Sequence, residues 1–224
     1  MTAKSWGATV TLGDRCLVLQ LSEPHAVLSW AVLNGGLRIA SEVVWCEVPG
    51  HKTPVEPERL LRDRLAEVRL PQAVGLLTSA DLARHVIIER EVDGAQARCV
   101  ATVGLGNALR AGDPPGPAAP VGTINLVCQL SLPLSDLALL EALSIAAEAR
   151  TAAVLDSGIA SRRSGEPATG TGTDCIVVAA PDRSGGLCYA GKHTVAGHLV
   201  GAAVYDAVLR GARAWLRSRA GRTP

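Results

Sequence analysis

Residues Ala168-Thr-Gly-Thr-Gly-Thr-Asp174 place three hydroxyls, two glycines and one carboxylate directly ahead of an apolar run, Cys-Ile-Val-Val-Ala-Ala. Tyr189-Ala-Gly-Lys-His-Thr194 follows and opens a helical pattern. Backbone N–H groups, hydroxyls, a carboxylate, an ammonium and an imidazole can therefore meet at the ends of elements, as sites for oxyanions and polar substrates require. His193 is the strongest acid–base candidate, because imidazole titrates near neutrality and can take and return a proton. Lys192 stands beside it at a helix start, where unpaired N–H groups favour negative charge. The plainer reading is a helix cap. Asp174 can orient a His or Lys, accept a proton or hold a substrate amide; it can equally close an Asx-type turn. Thr169, Thr171 and Thr173 either present hydroxyls and amides to one side or simply start a strand.

The Gly-Thr theme recurs in Gly122-Thr123-Ile-Asn125. Asn125 and Asn107, the latter after Gly104 and Gly106, can each bind a substrate carbonyl or satisfy local backbone. Asn34-Gly35-Gly36 reads first as a hairpin turn, although two glycines also admit close approach of a substrate. A metal site has little support, since the five His are dispersed and the pair His193 and His198 misses the i, i+4 spacing. No Gly-x-Ser-x-Gly elbow, P-loop or Gly-x-Gly-x-x-Gly fingerprint is present. The six Cys contain no Cys-x-x-Cys pair and read as reduced, buried, small apolar residues; Cys175 falls in a strand interior, where a thiol is inert.

Several elements must position these groups. Residues 9–12 and 16–21 flank a Gly-Asp turn, and 26–33 and 37–48 flank Asn-Gly-Gly, so all four segments read as strands. Residues 58–68 have helical spacing behind Pro57. Strands are expected at 73–78, 86–92, 97–103, 123–131 and 174–180. Ser135 or Asp136 caps a helix running to about 155, and His193 or Thr194 opens one running to about 216. The Pro-rich stretch 111–120 and the Gly-bearing stretch 157–169 read as mobile loops and candidate walls of a cleft. The order predicts an α+β fold in a single domain over 1–224: an extensive, mostly antiparallel or mixed sheet covered by about three helices.

Composition narrows the classes. A hydrophobic fraction of 48% with net charge +1 marks a globular chain with no electrostatic pull toward nucleic acid or an anionic membrane. With no Phe, four Trp and two Tyr, a base-stacking platform is not expected. The N-terminus lacks a signal-peptide pattern and no apolar window is long enough to span a bilayer, which points to the cytoplasm.

An ordered set of short motifs carries a family resemblance. Val32-Leu-Asn-Gly-Gly36, Gly75-Leu-Leu-Thr78, Thr102-Val-Gly-Leu-Gly-Asn-Ala108, Gly122-Thr-Ile-Asn125, Glu148-Ala-Arg-Thr151, Ala168-Thr-Gly-Thr-Gly-Thr-Asp174 and Ala190-Gly-Lys-His-Thr194 resemble, in the same order, the motifs of adenosylcobinamide amidohydrolases. The likeness covers roughly 26–209. The family often has Ser where this chain has Gly106, Lys where it has Arg150 and Glu where it has His198. The resemblance implies hydrolysis of the amide joining the corrin propionyl group to aminopropanol. The products are adenosylcobyric acid and 1-amino-2-propanol. Cobalt enters only inside the substrate, so no protein-held cofactor is expected.

On that chemistry, His193 would act as base and then acid, with Asp174 orienting it or holding substrate. Thr171 or Thr173 would be the nucleophile or position a water, and Lys192 with the 170–173 amides would stabilise the oxyanion. Asn34, Gly35, Asn107, Thr123, Asn125, Thr169, Gly170, Gly172 and Thr194 complete the expected substrate contacts. The implied partner is a corrinoid, with no nucleic acid and no membrane; a homo-oligomer stays open. A corrinoid carrier or sensor, or an amidohydrolase of another acylated amine, remains as an alternative.

Overall fold

The computed structural model describes residues 8–48, 56–116, 122–181 and 185–220. Its strands are β1 (Thr9–Leu12), β2 (Cys16–Ser29), β3 (Gly36–Glu47), β4 (Val74–Thr78), β5 (Val86–Val92), β6 (Ala95–Val103), β7 (Ala108–Leu109), β8 (Ile124–Leu130), β9 (Gly170–Thr171) and β10 (Cys175–Pro181). The helices are α1 (Pro57–Glu67), α2 (Asp136–Asp156) and α3 (Val195–Ala220). The fold is α+β. One mixed sheet of eight strands has the order β4-β3-β2-β10-β8-β6-β5, with β1 alongside β2, while β7 and β9 pair as a separate ribbon.

The segments read separately as 16–21 and 26–33 are one strand. β2 runs through both, bent where its register with β3 shifts between Gln20 and His25. It stops at Ser29, because the chain beyond turns to bridge Leu33 to Gly75. The two halves of β2 use the same edge for different partners, β1 at 17–20 and β10 at 25–29. The bend folds β1, β4 and the adjoining ends of β2 and β3 back over β10, β8 and β6.

Side-chain alternation then builds four layers. On β8, Leu126 and Cys128 face α2 and α3, while Val127 faces the folded-back limb. Leu17, Leu19, Trp45 and Leu76 of that limb pack against Val100, Val127 and Val177. Its outer side, with Val44 and Cys46, is covered by Leu61 and Leu65 of α1. Covered on both faces, β8 and β10 are buried along their whole lengths. In place of Phe, small residues such as Ala138, Ala142, Ala146 and Ala203 bring the α2 and α3 backbones close to the sheet.

Five of the six Cys are buried; Cys188, in a loop, is exposed and departs from the expected pattern. Among the described residues no helix is long and apolar enough to cross a membrane. The stretch 111–120 is described only to residue 116. That part is tied to 157–169: Ala111 N–H donates to Thr169 Oγ1 at 2.8 Å, and the Ser161 hydroxyl donates to the Asp113 carboxylate. Hydrogen bonds between the two segments hold them together.

Candidate active site

Asp174 sits at the mouth of β10 with its side chain 6% exposed. Each carboxylate oxygen accepts two donors. Oδ1 takes Ile124 N–H at 2.9 Å and the Thr171 hydroxyl. Oδ2 takes Thr171 N–H at 2.9 Å and the Arg150 guanidinium. An ionised carboxylate has about four lone-pair positions, and all are used. The charge-assisted bonds lock the 171–174 turn to β8 and to α2. Gly170 lacks a Cβ for a local reason: any Cβ there would meet the Arg150 guanidinium and Asp174 Oδ2. Trp30 Nε1, in the residue just past β2, donates to Asp174 O at 2.7 Å. Burial and the Asp174 charge push the neighbouring Cys175 thiol up to about 12, which keeps it protonated and unreactive.

A hydroxyl and amide network continues from this turn. Thr173 Oγ1 donates to Gly122 O at 2.9 Å, and Thr123 Oγ1 donates to Thr173 O at 2.8 Å. Thr123 Oγ1 is also 3.0 Å from Asn125 Oδ1, while Asn125 Nδ2 donates to Leu77 O at 2.6 Å across the two sheet layers. Asn107 is buried beside Gly122, and its Oδ1 has no hydrogen-bond partner among the described residues. Gly172 and Thr173 are exposed and form the open side of the cluster. Segments beginning near 77, 107, 123, 150 and 170 thus meet at one end of the layered sheets.

The Gly-Lys-His-Thr segment lies elsewhere. Lys192 pairs with Glu148, and both His193 and Lys192 are exposed. Glu148 and Arg150 are two residues apart on α2, so their side chains leave the helix about 200° apart. Lys192 and Asp174 are thus paired to α2 residues that leave the helix in different directions. The four donors on Asp174 come from Ile124, Thr171 and Arg150, and His193 is not among them. Glu148, Lys192 and His198 instead line a groove of about 320 Å³ between α2 and α3 with Ile145, Ala149 and Gly201; neither Asp174 nor His193 lines it.

Thr194 is the cap of α3. Its Oγ1 accepts Gly197 N–H at 3.0 Å and donates to Gly191 O at 2.8 Å. Thr194→Ala is expected to lower stability by about 1 kcal/mol, and Thr194→Ser to restore it, in urea titrations. Equal midpoints for all three proteins would reject the cap. Asn34 has φ 58° and donates to Pro71 O at 3.2 Å and Ala73 O at 2.8 Å, so it holds the hairpin corner. Gly35 is needed there because a Cβ would come within 2.6 Å of Ala31 O. Thr169 Oγ1 is taken by Ala111 N–H.

Arg150 and Trp30 belong to the cluster and were not among the expected site residues. Glu148, two residues away on α2, leaves the helix in another direction and pairs with Lys192 instead. A carboxylate ahead of a buried strand needs a counter-charge, and that requirement is the signal that points to a basic residue. For Trp30 there is no comparable signal in the chain.

The family model described as adenosylcobinamide amidohydrolase matches residues 5–220. The chain is similar to an adenosylcobinamide amidohydrolase of Halobacterium salinarum, 32% identical over 92% of this chain and 87% of that protein. It is similar to one of Methanosarcina mazei, 28% identical over 84% of this chain and 88% of that protein. Among solved structures, the L-aminopeptidase D-Ala-esterase/amidase of Ochrobactrum anthropi aligns at 12% identity and TM-score 0.42, over 92% of this chain and 82% of that one.

Proposed function

The chain belongs to the adenosylcobinamide amidohydrolase family and is a hydrolase of an amide bond, and on that premise we propose that it cuts the amide between the corrin propionyl group and aminopropanol in adenosylcobinamide. One water is consumed. Adenosylcobyric acid and 1-amino-2-propanol are released, which returns an incomplete corrinoid to cobalamin assembly. The observation that supports this reading is the convergence of the Thr123, Asn107 and Thr171–Asp174 segments on one partly open hydroxyl cluster.

In this proposal Thr171 Oγ1 is the attacking oxygen. Its hydroxyl donates to Asp174, so its lone pairs face away from the carboxylate. Asp174 Oδ1 takes the Thr171 proton along that hydrogen bond, and it passes to the amine as the C–N bond breaks, leaving the acyl group as an ester on Thr171. The one water then cleaves that ester, releasing the acid and restoring the hydroxyl. The amide of Gly172, a residue on the exposed side of the turn, receives the developing oxyanion. Arg150 holds Asp174 in place. Cobalt arrives within the substrate, and no step is routed through a metal held by the chain or through His193.

The test is incubation of the full chain with adenosylcobinamide. Stoichiometric 1-amino-2-propanol and a corrinoid of the mass of adenosylcobyric acid are expected. A corrinoid that binds and is recovered intact would replace hydrolysis with carriage.

A further inference from the structure

Cys16 and Cys46 stand directly opposite each other on β2 and β3, with their sulfurs 3.3 Å apart. Glu47 N–H donates to Arg15 O at 2.9 Å, so the residues one step along the register exchange the ladder bond. Hydrogen-bonded and non-hydrogen-bonded pairs alternate in an antiparallel ladder. Cys16 and Cys46 are therefore a non-hydrogen-bonded pair, with Cα atoms about 4.5 Å apart. The Cys16 carbonyl agrees, since it points away from β3 and accepts Gly13 N–H at 2.8 Å. Disulfides span Cα separations of about 4.4–6.8 Å, so a bridge can close here by side-chain rotation with the strands left in place. Both residues are buried, and Leu61 and Leu65 of α1 pack over them. The proposed hydrolysis uses neither thiol. Cys99 and Cys128 also face each other, across β6 and β8, but they lie in the core under α2 and α3.

We propose that Cys16 and Cys46 are a reversible oxidation site, which reacts with small disulfides of the glutathione class and closes into a cross-strand disulfide. The Cys16 thiolate attacks one sulfur of the small disulfide, whose S–S bond breaks and releases the first small thiolate. The Cys46 thiolate then attacks Cys16 Sγ and displaces the second. Each small thiolate takes up the proton that its attacking cysteine gave up. Two protein thiols are thus oxidised and one small disulfide is reduced to two thiols. Cys16 attacks first, because the hydrogen bond from the Cys46 thiol holds its pKa below the ordinary thiol range. Access comes through α1, an 11-residue helix whose N-cap Glu56 makes no side-chain cap, so its first turn opens at little cost. The bridge ties β2 to β3 next to residues that reach the candidate site. Trp45 Nε1 donates to Asn125 O at 3.4 Å, and Leu77, opposite Cys46 on β4, accepts Asn125 Nδ2.

The experiment uses the full chain with Cys188→Ser, which removes the exposed thiol from the count. The folded protein is incubated with oxidised glutathione, its thiols are titrated, and its peptides are mapped by mass spectrometry without reduction. The expected result is the loss of two thiols, a mass lower by about 2 Da and a peptide pair joining Cys16 to Cys46, all reversed by dithiothreitol. The thermal midpoint should rise by about 5–10 °C in the oxidised protein, because the link closes a loop in the unfolded chain. Cys46→Ala and Cys46→Ser, each added to Cys188→Ser, should form no internal link; if one does not fold, the other decides. Retention of every thiol in the folded Cys188→Ser protein would overturn the site, as would a link between Cys99 and Cys128 in its place. An internal link that persists in the Cys46 variants would overturn the pairing. A midpoint left unchanged or lowered by the Cys16–Cys46 link would overturn closure with the strands in place.

Discussion

Asp174→Ala is expected to cost about 3–5 kcal/mol of stability and to cut aminopropanol release about a thousandfold in the protein that remains folded. The stability loss follows from what is left behind. The Arg150 side chain is 15% exposed and would keep its charge without a partner, while the N–H groups of Ile124 and Thr171 would lose their acceptor. Removing one member of a buried pair is worse than removing both. The double variant Asp174→Leu with Arg150→Met should therefore recover at least about 1 kcal/mol relative to the sum of the single losses. It should recover no activity, because the Thr171 hydroxyl would still lack its acceptor. Urea titrations and the product assay separate these readouts. Additive single losses would show that the two side chains do not act as a pair.

Thr171→Val is expected to lower kcat about 10²- to 10⁴-fold while the protein stays folded. Valine nearly matches threonine in volume, so the packing is kept and the hydroxyl is lost. The stability cost should be that of one hydrogen bond to a charged acceptor, about 1.5–3 kcal/mol. Thr171→Ser keeps the hydroxyl and should stay within about tenfold of the natural chain. Thr173→Val is the comparison, since that hydroxyl donates to a carbonyl, Gly122 O, and not to a carboxylate. If Thr171→Val turns over normally and Thr173→Val does not, the attacking oxygen belongs to Thr173.

The two residues nearest these predictions differ in how far the chain alone announces them. Asp174 is visible because a lone acid between alternating Gly-Thr and an apolar run has few roles open to it. Arg150 is not visible, because its partner is 24 residues away and comes into reach only when α2 packs on β10. At His193, neighbouring residue types suggest a relay with Asp174, yet Ile124, Thr171 and Arg150 already supply four donors to that carboxylate.

Local signals were enough for the α+β class, the ends of α1 and α2, and the hairpin at Asn34, since periodicity, proline, a capping serine and a positive-φ turn act within a few residues. The ordered short motifs also carried the family. The folding of one limb of the sheet over the other, the filling of all four carboxylate positions and the exposure of Trp30 beside Asp174 were decided by the tertiary structure. Each depends on which distant segments share a face or an edge, and a strand's two-residue period or a helix's 3.6-residue turn specifies a face without naming what will cover it.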